Sequence, residues 1–156
     1  MMYSKEQAQQ LRKDFWASFS NYTIYYSKKI GQPIEWILYK TDIKGLELKF
    51  DVEKKVVRVA LEINCKNEDQ RFNIFVELDK YKSIIETNFA EELIWTDEFI
   101  LPEGKMVSRI YTEVVGVKYH NRDNWPDIFK FMVENMFILQ SNFLDIQPIL
   151  RERFGK

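Results

Sequence analysis

Two neighbouring stretches decide the fold of this chain: Leu46-Glu47-Leu48-Lys49-Phe50-Asp51-Val52 and Val56-Val57-Arg58-Val59-Ala60-Leu61-Glu62-Ile63-Asn64. Apolar and polar residues alternate along both stretches, which is typical of β-strands that have one apolar and one polar face. The connection Val52-Glu53-Lys54-Lys55 is short and polar. We therefore predict that the two strands form a hairpin.

The apolar pattern also predicts the register of this hairpin. If Asp51 pairs with Val56, then Phe50 faces Val57 and apolar residues meet apolar residues along the whole ladder. A slip of one residue would turn the apolar side chains of a strand to the opposite face, so we favour this register. It gathers the polar residues of both strands on one face, namely Glu47, Lys49, Asp51, Arg58, Glu62 and Asn64.

The rest of the chain divides into elements by the spacing of its apolar residues. The first predicted element is a helix opened by the capping box Ser4–Gln7 and ended by Gly31-Gln32-Pro33, and it is followed by a strand at 34–40 and the hairpin. A helix capped by Asn67 then extends to Phe89 and leads to a second hairpin with arms at 93–101 and 106–115. The last helix begins at Asn124-Trp125-Pro126 and is kinked or split at Pro148. The order α-β-β-β-α-β-β-α predicts an α+β fold with a mainly antiparallel sheet flanked by helices.

Composition limits the classes of protein that fit this sequence. The chain has 156 residues, of which 46% are hydrophobic, so we expect a single domain over residues 1–156 with a buried core. The 23 basic and 24 acidic side chains nearly cancel, which does not favour a dedicated nucleic-acid binder. The N-terminus does not resemble a secretory signal, and no apolar run is long enough for a membrane span. We therefore expect a cytoplasmic protein without a membrane partner.

Several stretches carry a resemblance to a known family. They are Tyr3-Ser4-Lys5-Glu6 with 12–19, Trp36-Ile37-Leu38-Tyr39-Lys40-Thr41 with Ile43-Lys44-Gly45, Val59-Ala60-Leu61-Glu62, Ser108-Arg109-Ile110-Tyr111, and Asn124-Trp125-Pro126. With these stretches the chain resembles an uncharacterised bacterial family, the domain of unknown function DUF4268, over nearly its whole length. The resemblance implies a family but no particular activity.

The order of elements is also similar to the core of the restriction-endonuclease-like superfamily. That resemblance implies an acid on the second core strand, an acid-x-Lys triplet on the third, and a Mg²⁺ ion held between the acids. The matching positions are Glu47 or Asp51, followed by Glu62-Ile63-Asn64, with Asp51 and Glu62 as candidate metal ligands. Asn64 stands where the lysine is expected, and Lys66 is the candidate to replace it if the strand ends before it.

A structural interpretation of the same residues is the one that we favour. Glu47, Asp51 and Glu62 share their face with Lys49 and Arg58, a composition typical of a solvated sheet face. The chain has one cysteine and one histidine, which favours neither a zinc site nor a nucleophilic triad. No glycine-rich phosphate loop is present, so we expect no nucleotide cofactor.

Aromatic residues make up 15% of the chain, and the four tryptophans Trp16, Trp36, Trp95 and Trp125 fall in different predicted elements. Tryptophans that stay exposed suit a protein interface. We therefore expect first a non-catalytic interaction module, with a protein partner or a second copy and with a link to nucleic-acid metabolism or defence. The alternatives are a degenerate or active Mg-dependent nuclease-like domain and a non-catalytic nucleic-acid-binding domain. We expect no cofactor except Mg²⁺ under the nuclease alternative.

Overall fold

The computed structural model describes residues 4–34 and 40–155, so most of the strand predicted at 34–40 lies outside the described residues. The elements are α1 (Lys5–Ile30), β1 (Leu46–Val52), β2 (Val56–Ile63), α2 (Glu68–Asp79), the short α3 (Lys82–Ile85), β3 (Ile94–Ile100), β4 (Met106–Val115), a 3-10 turn (Arg122–Asn124) and α4 (Trp125–Phe154). The predicted α+β class and both predicted hairpins are confirmed.

The four described strands form one antiparallel sheet in the order β1-β2-β4-β3. The predicted register of the first hairpin is wrong by two residues, because Asp51 pairs with Arg58 and not with Val56. The ladder continues closer to the turn than expected, since the Glu53 N–H donates to the Val56 carbonyl (2.9 Å). A shift of two residues leaves every side chain on its own face, so the predicted apolar and polar faces are correct.

The helices pack against the apolar face of the sheet. Val59, Leu61 and Ile63 share one core cluster with buried residues of α2, α3 and α4. Phe15 of α1 is completely buried in a second cluster, where its ring packs against Trp125 at 5.4 Å and Phe129 at 5.1 Å. Aromatic rings of this size account for much of the apolar area that a core removes from water.

The predicted helix ends are mostly confirmed. Ser4 accepts from the Gln7 N–H (3.1 Å) while Gln7 accepts from the Ser4 N–H (2.9 Å), which is the reciprocal capping box. Gly31 ends α1 in the left-handed conformation (φ 70°). Asn67 caps α2 by accepting from the Gln70 N–H (3.0 Å).

One prediction about the helices is wrong, and a second is wrong in part. The helix predicted to reach Phe89 stops at Asp79 and is followed by the separate turn α3. In addition, α4 continues through Pro148 to Phe154, so the predicted split at Pro148 is wrong, while the predicted kink stays a prediction. Proline at that position leaves only the Leu144 carbonyl without its helical donor, and Leu144 is exposed to water. The buried contacts of Ile146 and Leu150 hold the helix on the core at both sides of the proline.

Candidate functional site

The structure brings the predicted acidic candidates together on the polar face of the sheet. Glu47 lies directly opposite Glu62 across β1 and β2, and Asp51 lies on the same face of β1. Arg109 of β4 lies directly opposite Glu62 on its other side. The interpretation of this face as solvated is wrong at its centre, because Glu62 is 0% and Arg109 3% exposed. Glu62 is buried because charged side chains from both neighbouring strands close over it.

Both carboxylate oxygens of Glu62 are engaged by neighbours. Arg109 donates from Nε to Oε1 (2.9 Å), and its Nη2 lies 2.8 Å from the same oxygen. The Lys49 Nζ lies 2.9 Å from Oε2, and the Asn64 Nδ2 donates to Oε2 at 2.9 Å. Burial by itself raises the pKa of Glu62, but the hydrogen bonds from Asn64, Lys49 and Arg109 outweigh it and hold the pKa below its usual value. Glu62 is therefore an ionised, fully satisfied carboxylate.

A second arginine extends this ion-pair network along the polar face. Arg58 donates to Asp51 (3.0 Å), to Glu53 (2.8 Å) and to Glu113 (2.9 Å). The Asp51 Oδ2 also accepts from Arg109 at 2.7 Å, so one oxygen joins both guanidinium groups. The ring of Phe99 lies 4.5 Å from the Arg109 guanidinium carbon and 5.3 Å from that of Arg58. This aromatic contact adds to the ion pairs and shields the two arginines from water.

Pattern matching along one strand missed two partners of Glu62. The acid-x-Lys pattern searches for a lysine two residues beyond the acid, whereas the ammonium group beside Glu62 comes across the sheet from Lys49. Arg109 arrives from a strand 47 residues further along the chain. Asn64 does lie beside the carboxylate, where it donates a hydrogen bond in place of the expected lysine.

Lys66 belongs to a different feature, a cleft of about 480 Å³ at the junction of β2 and α2. We call this feature the lysine cleft. Its lining residues are Lys44, Gly45, Asn64, Cys65, Lys66, Asn67, Gln70 and Lys105. The lysines come from three separate segments, and the lining contains three amide side chains but no acidic and no aromatic residue. In the described part of the chain none of these lysines forms a salt bridge.

A close backbone approach builds one wall of the lysine cleft. The Asn64 N–H donates to the Gly45 carbonyl at 2.7 Å, which draws the segment before β1 against the end of β2. Gly45 has φ +84°, and a Cβ at this position would lie 2.4 Å from the Cys65 Sγ. Only glycine fits there without displacement. The glycine thus places Lys44 beside Cys65 and Lys66 at the mouth of the cleft.

The charged side chains that line the lysine cleft are all positive, although Glu68 and Asp69 lie in the adjoining first turn of α2. The α2 N-terminus, capped by Asn67, contributes the positive end of its dipole. Burial raises the pKa of the Cys65 thiol, whereas Arg71 and Lys105 act in the opposite direction. The positive charges of Arg71 and Lys105 thus act on the thiol that lines the cleft, although burial has the larger effect on its pKa.

A comparison with known protein families identifies the chain. The family model described as the domain of unknown function DUF4268 matches residues 11–147. The chain belongs to this family. The resemblance predicted from the sequence is thereby confirmed for most of the chain. No curated protein and no solved structure shows a significant match to this DUF4268 domain, so the restriction-endonuclease-like resemblance stays a prediction. None of its described helices has the length and apolar character that crossing a membrane requires.

The metal prediction for this DUF4268 domain also stays a prediction. Among residues 4–34 and 40–155, no three His, Cys, Asp or Glu side chains are grouped as metal ligands would be. Asp51 and Glu62 share a face but are bridged by the guanidinium of Arg109. Lys66 is exposed and lines the lysine cleft, which does not contain Asp51 or Glu62.

The tryptophans do not form the exposed patch that an aromatic interface would need, as far as the DUF4268 domain is described. Trp125 is buried, Trp16 and Trp95 are half-buried, and Trp36 lies outside the described residues. A protein partner or a second copy therefore stays a prediction. The lysine cleft, by contrast, gathers three lysines that form no salt bridge in the described part of the chain.

Proposed function

We propose that this DUF4268 domain is a non-catalytic module that binds nucleic acid by holding backbone phosphates in the lysine cleft. The observation that carries the proposal is the convergence of Lys44, Lys66 and Lys105 from three segments, without a salt bridge to any described carboxylate. Three like charges repel one another, and a bound polyanion replaces this repulsion with attraction. The proposal joins the expected interaction module with the expected nucleic-acid-binding alternative.

The polar side chains of the cleft support a phosphate ligand over an apolar one. Asn67 and Gln70 carry amide groups, and amides donate to phosphate and sugar oxygens, whereas the Asn64 amide already donates to Glu62. The N-terminus of α2 adds a favourable dipole for an anion. Because no aromatic side chain lines the cleft, base stacking does not contribute there, and we expect binding with little sequence preference.

The ion-pair network supports binding without hydrolysis. Asp51 and Glu62 are the carboxylates that a nuclease mechanism would use, and both are held by Arg109. A carboxylate in such a pair offers fewer free oxygen lone pairs to a metal ion. The nuclease alternative is therefore the second candidate, and a Mg²⁺ titration tests it separately.

The test is the salt dependence of binding to a fluorescently labelled single-stranded oligonucleotide, measured by fluorescence anisotropy. If the three lysines each neutralise one phosphate, the slope of log K against log salt is about −2 for the wild-type protein. Lys66→Ala and Lys105→Ala should each weaken binding and reduce the steepness of the slope by about 0.7.

The matched control is Lys28→Ala with Lys29→Ala, which removes two exposed lysines from the last turn of α1. This variant should bind like the wild type. If the wild-type protein does not bind at low salt, or if the control loses as much affinity as Lys66→Ala, the proposed role of the cleft is wrong.

A further inference from the structure

We infer that Arg71 is a buried cation which a phosphate in the lysine cleft neutralises, and that it positions Lys105 for the same ligand. This inference rests on the proposed function and deepens it, because it assigns a role to a residue outside the wall of the cleft. Arg71 is the residue after Gln70, which lines the cleft, and its N–H donates to the Asn67 carbonyl in the first turn of α2 (3.0 Å).

The charge of Arg71 has no counter-ion in the described part of the chain. The residue is only 7% exposed. Its Nη1 donates to the Asp97 backbone carbonyl and to the Ser108 hydroxyl (2.8 Å), and both acceptors are uncharged. None of the salt bridges between described residues involves Arg71. Other buried charges of this protein, such as Glu62 and Arg109, are paired directly.

An unpaired buried charge is costly, and an anion nearby lowers that cost. The lysine cleft adjoins Arg71 along the chain, since Gln70 and Asn67 on the same helical turn belong to its wall. The charge of Arg71 also acts to lower the pKa of the Cys65 thiol in that wall, against the larger effect of burial. A phosphate in the cleft therefore interacts with a cation that water screens poorly, in addition to the exposed lysines.

Arg71 also fixes the hairpin that carries Lys105. Its acceptor Asp97 lies in the bulge of β3, between Thr96 and Phe99. The Ser108 hydroxyl on β4 donates to the same carbonyl at 2.8 Å, so one guanidinium group ties both strands of the hairpin to α2. Lys105 stands three residues before Ser108, at the base of the hairpin loop. Arg71 is thus a positioning residue for Lys105 as well as a source of charge.

The experiment compares Arg71→Met, which removes the charge, with Arg71→Lys, which keeps the charge but loses the two-acceptor geometry. Arg122→Met is the control, because Arg122 is an exposed cation in the 3-10 turn before α4. The first measurement is the rate of Cys65 alkylation as a function of pH; Cys65 is the single cysteine of the chain. Arg71→Met should shift the profile to higher pH, whereas Arg71→Lys and Arg122→Met should leave it in place.

The second measurement is affinity for the labelled oligonucleotide at fixed low salt. We expect Arg71→Met to weaken binding about tenfold, which corresponds to about 1.4 kcal/mol, and Arg71→Lys to weaken it less. Arg122→Met should have no effect.

The outcomes separate the two proposals. An unchanged thiol profile in Arg71→Met would show that Arg71 does not act on the cleft. Unchanged affinity in Arg71→Met beside a wild type that binds would overturn the inference and leave the proposed function standing. A wild type that does not bind would overturn the proposed function, while the thiol profile would still report the field of Arg71. If Arg71→Met does not fold, the positioning role is tested with Arg71→Lys. That role would be overturned if Arg71→Lys bound the oligonucleotide as tightly as the wild type and showed the same hydrogen exchange in β3.

Discussion

Arg109 and Glu62 lie directly opposite each other on β4 and β2 and form a paired contact at 2.9 Å and 2.8 Å. Their side chains are 4% and 1% exposed, although they lie on the polar face of the sheet. A buried pair of this kind is stabilising only when its hydrogen bonds are complete. Here Lys49 and Asn64 satisfy the second oxygen of Glu62, and Asp51 accepts from the remaining arm of Arg109.

Removing one partner of this pair should destabilise the fold strongly. Arg109→Met leaves Glu62 and Asp51 without their shared cation, so we expect the free energy of unfolding to fall by about 3–5 kcal/mol. Urea unfolding followed by circular dichroism measures this change. Glu134→Gln, in the exposed pair with Lys130, is the control and should change stability by less than about 1 kcal/mol. Equal effects of the two substitutions would contradict the structural role of the buried pair.

The ionisation of Glu62 should appear in the pH dependence of stability. Its folded-state pKa lies below the unfolded value of 4.5, because hydrogen bonds from Asn64, Lys49 and Arg109 outweigh the effect of burial. The folded state therefore binds a proton less readily than the unfolded state. The contribution of Glu62 is complete above pH 4.5 and is lost as the pH falls through the folded-state pKa.

Glu62→Gln tests this assignment, since a neutral amide does not titrate. The variant should be less stable than the wild type at pH 7, and its unfolding free energy should decline less between pH 5 and pH 3. Urea unfolding curves collected across this pH range give both quantities. A variant whose stability declines as steeply as that of the wild type would mean that other carboxylates cause the acid sensitivity.

The faces of the first hairpin could be predicted from the sequence, but its register could not. Apolar residues of β1 meet apolar residues of β2 equally well in two registers that differ by two residues, because side chains alternate with a period of two. The choice depends on the turn. The Glu53 N–H bonds to the Val56 carbonyl, so only Lys54 and Lys55 remain outside the ladder. The alternation pattern contains no information about this backbone contact.

Neither the burial of Glu62 nor the presence of the lysine cleft could be predicted from the sequence, and the reason is related. Both depend on segments that are distant in sequence: Arg109 reaches Glu62 from β4, and Lys44 and Lys105 meet Lys66 at the end of β2. The one local sequence feature at this place is Gly45, which stands between Lys44 and the first strand. Its meaning depends on Cys65, which no local pattern connects to it.

Gly45 should tolerate a side chain less well than other glycines with positive φ. Gly45 has φ +84° and Gly104 has φ +91°, so alanine is strained at both positions by about 1–2 kcal/mol. A Cβ at Gly45 would also lie 2.4 Å from the Cys65 Sγ, whereas nothing lies within 4 Å of a Cβ at Gly104. We therefore expect Gly45→Ala to lower the melting temperature more than Gly104→Ala.

The double substitution Gly45→Ala with Cys65→Ala distinguishes the clash from the backbone strain. Because Cys65→Ala removes the sulfur atom, Gly45→Ala should lower the melting temperature less in the Cys65→Ala protein than in the wild type. Part of the cost should remain, since the Cys65 backbone nitrogen would still lie 3.2 Å from the new Cβ. Thermal unfolding of the four proteins in the cycle measures this coupling. If Gly45→Ala costs the same with and without the thiol, the sulfur atom does not restrict this position.

Mg²⁺ should not stabilise the wild-type protein, because the carboxylates that would bind it already hold cations. The Oδ2 atom of Asp51 accepts from Arg58 and Arg109, and Glu62 accepts from Arg109 and contacts Lys49. A metal ion would have to displace these groups, and a ligand that binds the native state raises the melting temperature. Differential scanning calorimetry with Mg²⁺ and with Mn²⁺ measures the shift, with Asp51→Asn as the matched variant. Asp51→Asn removes a ligand charge without a change in size. A saturable increase of the melting temperature in the wild type that is absent in Asp51→Asn would therefore place a metal ion at Asp51 and favour the nuclease alternative.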